Sequence, residues 1–299
     1  MLQHWESARQ QFEEANERIE KRAGRNLFLA VGTGIVIGGL LLVSLIFVKW
    51  AFLALALAGG VGAAVELAAA IRRGGVLVPR VAVGIGTGAV LLCTAAWDWP
   101  GMLWGTPSAI VVVFVWYLLE VSFRVKRGEI PQRTPRQLIR DALSIAGTIL
   151  YTGTLVSFAV LLLAEDGGQW WVLGFIIVVV VNDTCAYAVG VLWGRHKMFP
   201  VISPKKTWEG FLGGIAGAVL AGVLVSTLML SMSIPFGFLW GFVLALSGTA
   251  GDVLESRIKR RIGIKDMSSW LPGHGGVLDR LDSIILSAAV AYALSLVAF

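Results

Sequence analysis

Residues 27–47 read LFLAVGTGIVIGGLLLVSLIF, a run with no charged side chain. A helix over it is roughly 30 Å long, the thickness of the hydrocarbon core of a bilayer. Similar apolar segments recur near 50–71, 76–96, 101–123, 138–164, 169–193, 208–231, 234–254 and 281–299. The pattern predicts an all-α polytopic membrane protein with about nine transmembrane helices. Composition agrees. Of 299 residues 57% are hydrophobic and only 15% charged, against about 25% charged in an average globular chain. A soluble domain is excluded. No short apolar core is followed by the small-residue cleavage site of a signal peptide.

Charge supplies the orientation. With a cytosolic N-terminus, nine spans leave five segments inside: the tail, 72–80, 124–140, 195–206 and 252–280. Together these hold 24 of the chain's 25 Lys and Arg, and only Lys49 falls outside. That asymmetry is the positive-inside rule, and it puts the C-terminus outside. It also explains the net charge of +6 without nucleic acid as a partner. Cys93 and Cys185 lie in apolar spans, so neither a disulfide framework nor a thiolate metal site is expected.

The chain divides into a cytosolic tail helix (1–26), a transmembrane scaffold (27–168) and a transmembrane catalytic region (169–299). In the tail, Trp5, Ala8, Phe12, Ala15 and Ile19 form one helical stripe, and its acids and bases balance. The scaffold carries Gly34-x-x-x-Gly38 and Gly84-x-x-x-Gly88, a spacing that lets helices approach closely and suggests a homodimer. Glu66 and Glu120 sit near the inner ends of their spans, where snorkelling beside Arg72 and Arg124 accounts for them.

Chemistry concentrates after residue 182. Asp183 lies inside an apolar span, where a carboxylate is costly and faces a cavity, an ion or a basic partner. Tyr187, Gly190 and Gly194 follow on its face, the small residues leaving room for a ligand. Ser203-Pro-Lys205-Lys206-Thr207-Trp-Glu-Gly opens a helix. It reads either as an anion-binding N-terminus aided by two lysines or as a capped, positively charged flank. Asp252, Glu255 and Lys259 fall on one helical face. They read either as two carboxylates sharing a metal, with a lysine for its phosphate ligand, or as a salt-bridged helix end. Pro272-Gly-His274-Gly275-Gly276-x-x-Asp279-Arg280-x-Asp282 runs a glycine loop into the last span, placing amides at a helix N-terminus and two acids one turn apart. His274 has no second ligand at metal spacing and either donates to phosphate or shapes the loop. There is no Walker A sequence and no Gly-x-Ser-x-Gly elbow.

Ser256-x-Ile-Lys259-Arg260-x4-Lys265-Asp266-x-Ser268-x2-Leu-Pro-x-His274-Gly275-Gly276-Val-x-Asp279-Arg280-Leu-Asp282 resembles the signature of the phosphatidate cytidylyltransferases, the CDP-diacylglycerol synthases. Asp183-x-x-Ala-Tyr187 and Ser203-Pro-x-Lys206-Thr207-Trp-Glu-Gly look like further motifs of that family. The resemblance covers about residues 170–299. Asn182 and Cys185 stand where smaller residues are expected. The resemblance implies cytidylyl transfer from CTP to phosphatidate in a bacterial cell membrane, with Mg²⁺ and room for a second cation. It implies metal binding by Asp252 and Asp279, and nucleotide or phosphate contacts by Lys206, Lys259, Arg260, His274 and Arg280. Asp183 and Lys259 join the two metal acids as catalytic candidates. The substrate-binding set is completed by Ser203, Lys205, Thr207, Glu255, Ser256, Lys265, Asp266, Gly275, Gly276 and Asp282. Two other classes fit less well. A CTP-dependent lipid-alcohol kinase needs a base for the alcohol. An ion-coupled transporter commonly shows broken spans in both halves, whereas here the polar motifs fill only the second.

Overall fold

A computed structural model of the protein describes residues 27–268, 270 and 275–298. The tail helix expected over 1–26, and His274, lie outside the described residues. Helices dominate: α1 Leu27–Phe47, α2 Lys49–Arg73, α3 Arg80–Lys126, α4 Pro135–Ile149, a π turn Leu150–Thr154 running on into α5 Leu155–Ala164, α6 Gly168–Trp193, α7 Trp208–Leu228, α8 Ile234–Ile262 and α9 Leu278–Ala298. Among the described residues seven helical units are long and apolar enough to cross a membrane, α4 to α5 counting as one.

The expected spans 76–96 and 101–123 fall together in α3, which breaks at Trp97 and Asp98, where the backbone leaves helical geometry (Asp98 φ 51°). Past the break the chain folds back on itself. A Cβ on Gly105 would lie 3.1 Å from Cys93 Cβ, and one on Gly86 2.8 Å from Val113. The two halves of α3 are therefore packed antiparallel.

Local sequence explains the helix ends. Thr134 and Gln137 form a reciprocal capping box ahead of Pro135, the arrangement that satisfies the first orphan amides. Ser233 caps α8 through the Phe236 amide, and Gly263 closes that helix at φ 79°. Thr207 accepts from the Gly210 amide at 3.1 Å, so the helix start read from the sequence is where α7 begins. The run before it is not helical, however. Lys197–Phe199 (β1) and Ser203–Thr207 (β2) pair antiparallel, a correction to the purely helical expectation. Pro204 and β-branched Thr207 suit an extended edge better than a helix.

Close packing in the second half uses small residues. A Cβ on Gly214 would meet Asn182 Oδ1 at 2.8 Å, and one on Gly217 would meet Cys185 Sγ at 2.5 Å. The two enlarged residues of α6 are thus accommodated by α7. Gly194 packs against Thr207 in the same way, so it does not widen the space below Asp183. In the scaffold, Gly84 and Gly88 lie against Val65 and Val61 of α2. That spacing serves packing within the chain. The core centres on Trp240 and Phe175, both fully buried, with Trp171 set edge-on to Trp240 at 5.8 Å.

The described basic segments meet at one end. Arg140 donates to the Gly75 carbonyl at 3.0 Å. Buried Asp141 accepts from the Leu77 amide (3.2 Å) and the Tyr117 hydroxyl (2.8 Å). Arg260 Nε donates to the Ile202 carbonyl at 3.2 Å, joining the hairpin to the end of α8.

Candidate active site

At that end a cavity of about 690 Å³ opens between α6, the hairpin, α7, α8 and the start of α9. It gathers the acids Asp183, Asp252, Asp266, Asp279 and Asp282 with the bases Lys205, Lys206, Lys259 and Arg280. Ser203, Thr207, Tyr187 and Gly190 also line it. Residues from motifs as much as 99 positions apart therefore share one polar hollow inside an apolar bundle.

Asp183 is exposed to this hollow and accepts from Asn182 Nδ2 at 3.1 Å. Among the described residues no ion pair holds it, so the structural pairing considered from the sequence is not formed. Asp252 receives Lys206 Nζ on Oδ2 at 2.8 Å and the Ser256 hydroxyl on Oδ1 at 3.2 Å. Lys259 lies between two acids: it contacts Glu255 and stands 2.8 Å from Asp279 Oδ1.

Glu255 itself is fully buried and off the cavity. It serves as the salt-bridged helix end, and the reading of Asp252 and Glu255 as a shared metal pair is not supported. Arg260, tied to the hairpin backbone, also lies off the cavity, as do exposed Lys265 and the glycines Gly275 and Gly276. Ser256 reaches the site only through Asp252.

The glycine loop departs from expectation in an informative way. The amides of Gly276, Val277 and Leu278 do not face open space. The Gly276 amide donates to Asp279 Oδ2 at 2.8 Å, and Met267 donates to the same oxygen at 3.1 Å. The Val277 and Leu278 amides donate to Glu66 at 3.0 and 2.9 Å, and the Ser268 hydroxyl donates to it as well. Glu66 is 1% exposed, so it does not snorkel beside Arg72. It caps α9 from within α2, more than 200 positions away in sequence. The only sequence signal was a carboxylate inside an apolar span, the same signal that singled out Asp183. Glu120, by contrast, does pair with Arg124, at 3.4 Å. Gly275 holds φ 82°, and a Cβ there would stand 3.0 Å from Asp279 Oδ2. Glycine at that position lets the loop turn beneath the acid.

The donor set suits a hard cation. Among the described residues no three His, Cys, Asp or Glu converge on one point. Mg²⁺ does not require that: it commonly takes one or two carboxylates, keeps waters and accepts substrate phosphate oxygens. Asp252 of α8 and Asp279 of α9, both lining the cavity with lysines beside them, fit a Mg²⁺–polyphosphate better than a protein-only cage.

Comparison with known proteins bears on this geometry. Residues 29–298 match the model of the "Cytidylyltransferase family". The chain is 35% identical over 273 residues to the phosphatidate cytidylyltransferase of Mycobacterium bovis, covering 91% of this chain and 89% of that protein. It is 36% identical over 274 residues to that of Mycobacterium leprae, covering 91% and 88%. The Staphylococcus epidermidis protein of the same name is 40% identical over a shorter stretch of 146 residues, 48% of this chain and 55% of that one. Similarity thus extends well into the first half, beyond the 170–299 region where the motifs were legible. With residues from each motif meeting on one polar cavity and the family match running through nearly the whole chain, the protein belongs to the cytidylyltransferase family.

Proposed function

We propose that this protein is a membrane-embedded nucleotidyltransferase that transfers the cytidylyl group of CTP to phosphatidate, giving CDP-diacylglycerol and pyrophosphate. The observation that carries the reading is the polar cavity on which acids and bases from α6, the hairpin, α8 and α9 meet.

The chemistry asks little of a general base. A phosphate oxygen of phosphatidate is already ionised. It attacks the α-phosphorus of CTP, a new P–O bond forms, the bond between the α-phosphorus and its bridge to the β-phosphate breaks, and pyrophosphate leaves with that electron pair. The difficulty is to bring two polyanions together, so positioning and charge neutralisation supply the catalysis. Lys206, Lys259 and Arg280, which line the cavity, would receive phosphate oxygens, with Lys205 and Ser203 at the hairpin wall. Asp252 and Asp279 would hold Mg²⁺, whose contribution there is neutralisation of phosphate charge. Lys206 and Lys259 each stand 2.8 Å from one of these acids. They can swing from carboxylate to phosphate with little movement. Asp183 and Asp282 face the same space and act on one another electrostatically.

The arrangement in the bilayer is part of the proposal. Counting antiparallel α3 as two passes and α1 as one gives nine passes. The basic segments and the cavity then face the cytosol, and the C-terminus lies outside. Exposed Trp50, Trp97 and Trp99 fall at the other boundary, where tryptophan is favoured. A homodimer remains in the proposal through Gly34 and Gly38, where an added Cβ would meet nothing within 4 Å among the described residues.

The test is isotopic. Purified protein in lipid bilayers receives phosphatidate, Mg²⁺ and CTP labelled either in cytidine or in the γ-phosphate. Cytidine label should enter the lipid, and γ-label should leave as pyrophosphate. γ-Label on a lipid alcohol, with release of CDP, would replace this reading by the lipid kinase.

A further inference from the structure

A second hollow of about 390 Å³ adjoins the polar cavity. Met198, Phe211 and Thr249 line both, so the two volumes share a wall. Beyond that wall the lining turns apolar: Phe199 of β1, then Leu246, Ala250, Val253 and Leu254 of α8. The α8 residues fall at i, i+4, i+7 and i+8, which is one helical face. Asp252 and Lys259 of the same helix line the polar cavity instead. The apolar track ends at Arg257. From Leu246 to Arg257 it runs roughly 16 Å along the helix, about half the ~30 Å hydrocarbon core. Among the described residues no carboxylate is paired with Arg257. One wall thus joins a charged chamber to an apolar groove about as long as one leaflet is thick, with the Arg257 guanidinium at its end. An amphiphile whose phosphate must reach the chamber has its other end to place.

We propose that this groove is the binding site for an acyl chain of the lipid substrate, with Arg257 holding the lipid phosphate as it approaches the cavity. The inference rests on the cytidylyl-transfer reading and adds to it where the lipid lies. The recess distinguishes it from ordinary lipid-facing surface. The hairpin roofs it through Met198 and Phe199, and its inner wall is the wall of the reaction chamber. A guanidinium suits the phosphate by its paired N–H donors, and the apolar lining suits methylene groups.

The test uses the full chain in bilayers of fixed composition. Ala250 is small and exposed, so Ala250→Trp fills the groove without entering the core. It should raise KM for long-chain phosphatidate about tenfold or more, while KM for CTP and the rate with dihexanoyl phosphatidate stay within about twofold, the pattern of lost substrate binding. Arg257→Gln should raise KM for both lipids about fivefold, and Arg257→Lys should recover part of it. Leu239→Trp, on an exposed part of α8 outside both hollows, controls for general disturbance of the bilayer contact and should change nothing. The inference is overturned if Ala250→Trp leaves long-chain KM unaltered, or if it slows both lipids alike. Wild-type protein that forms no cytidylyl lipid would instead remove the underlying reading.

Discussion

Glu66 offers the sharpest test of how the site is built. Its carboxylate accepts from the Ser268 hydroxyl, the Val277 amide and the Leu278 amide, and the residue is almost wholly buried. Glu66→Gln keeps the shape but turns one acceptor oxygen into a donor. At least one buried amide at the start of α9 then faces an N–H and loses its partner. A buried donor left unpaired costs about 1–3 kcal/mol. If that cost is felt by the geometry that presents Asp279, turnover falls between about fivefold and about 150-fold. Glu66→Ala also opens a gap against Gly276, whose added Cβ would lie only 2.6 Å from Glu66 Oε2. The assay is initial rate against CTP and against phosphatidate, alongside a thermal melt in detergent. The reasoning requires kcat to fall at a temperature where the variant is fully folded, with Glu66→Asp retaining more activity than Glu66→Ala. Wild-type kcat in Glu66→Gln, or a loss that tracks the unfolded fraction alone, would refute the idea that α2 positions the glycine loop for catalysis.

Three further outcomes follow. Asp252→Asn and Asp279→Asn should each lower turnover on the order of a hundredfold or more in protein that still folds and inserts; near-normal activity at limiting Mg²⁺ in either would remove that acid from the metal site. Gly251→Ala puts a Cβ 2.3 Å from the Asp282 carbonyl oxygen, so α8 and α9 must separate; about 1–3 kcal/mol of stability should be lost together with activity, and an unchanged melt would contradict the close crossing. Cysteines introduced at the exposed positions Val201 and Lys265 should react with impermeant reagents only from the cytosolic side; labelling of both from outside intact cells would invert the proposed arrangement.

The sequence made legible those features that rest on local composition. Uncharged runs marked the helices, and Thr207 marked the start of α7. Asp183 stood out because an acid inside an apolar span is expensive, and Asp252, Asp279 and Asp282 because their spacing puts them on helical faces with other polar groups. Features set by distant partners were not legible. Glu66 read as an acid snorkelling beside Arg72, and only the meeting of α2 with the start of α9 reveals it as a cap. The glycine loop looked open to phosphate because nothing local shows that Glu66, from a distant helix, already occupies the Val277 and Leu278 amides. Gly84 and Gly88 looked like a dimer motif because spacing cannot tell a neighbouring chain from Val61 and Val65. The hairpin was missed because its two strands are short and their pairing depends on a turn between two polar clusters.

The central claim is that the lipid phosphate attacks the α-phosphorus of CTP directly, with the cavity positioning both anions. Phosphatidate carrying heavy oxygen in its phosphate tests this in one measurement by mass spectrometry. All of the label should appear in CDP-diacylglycerol, one labelled oxygen should bridge the two phosphorus atoms, and the released pyrophosphate should be unlabelled. Loss of a labelled oxygen from the lipid phosphorus, or its appearance in pyrophosphate, would contradict the account.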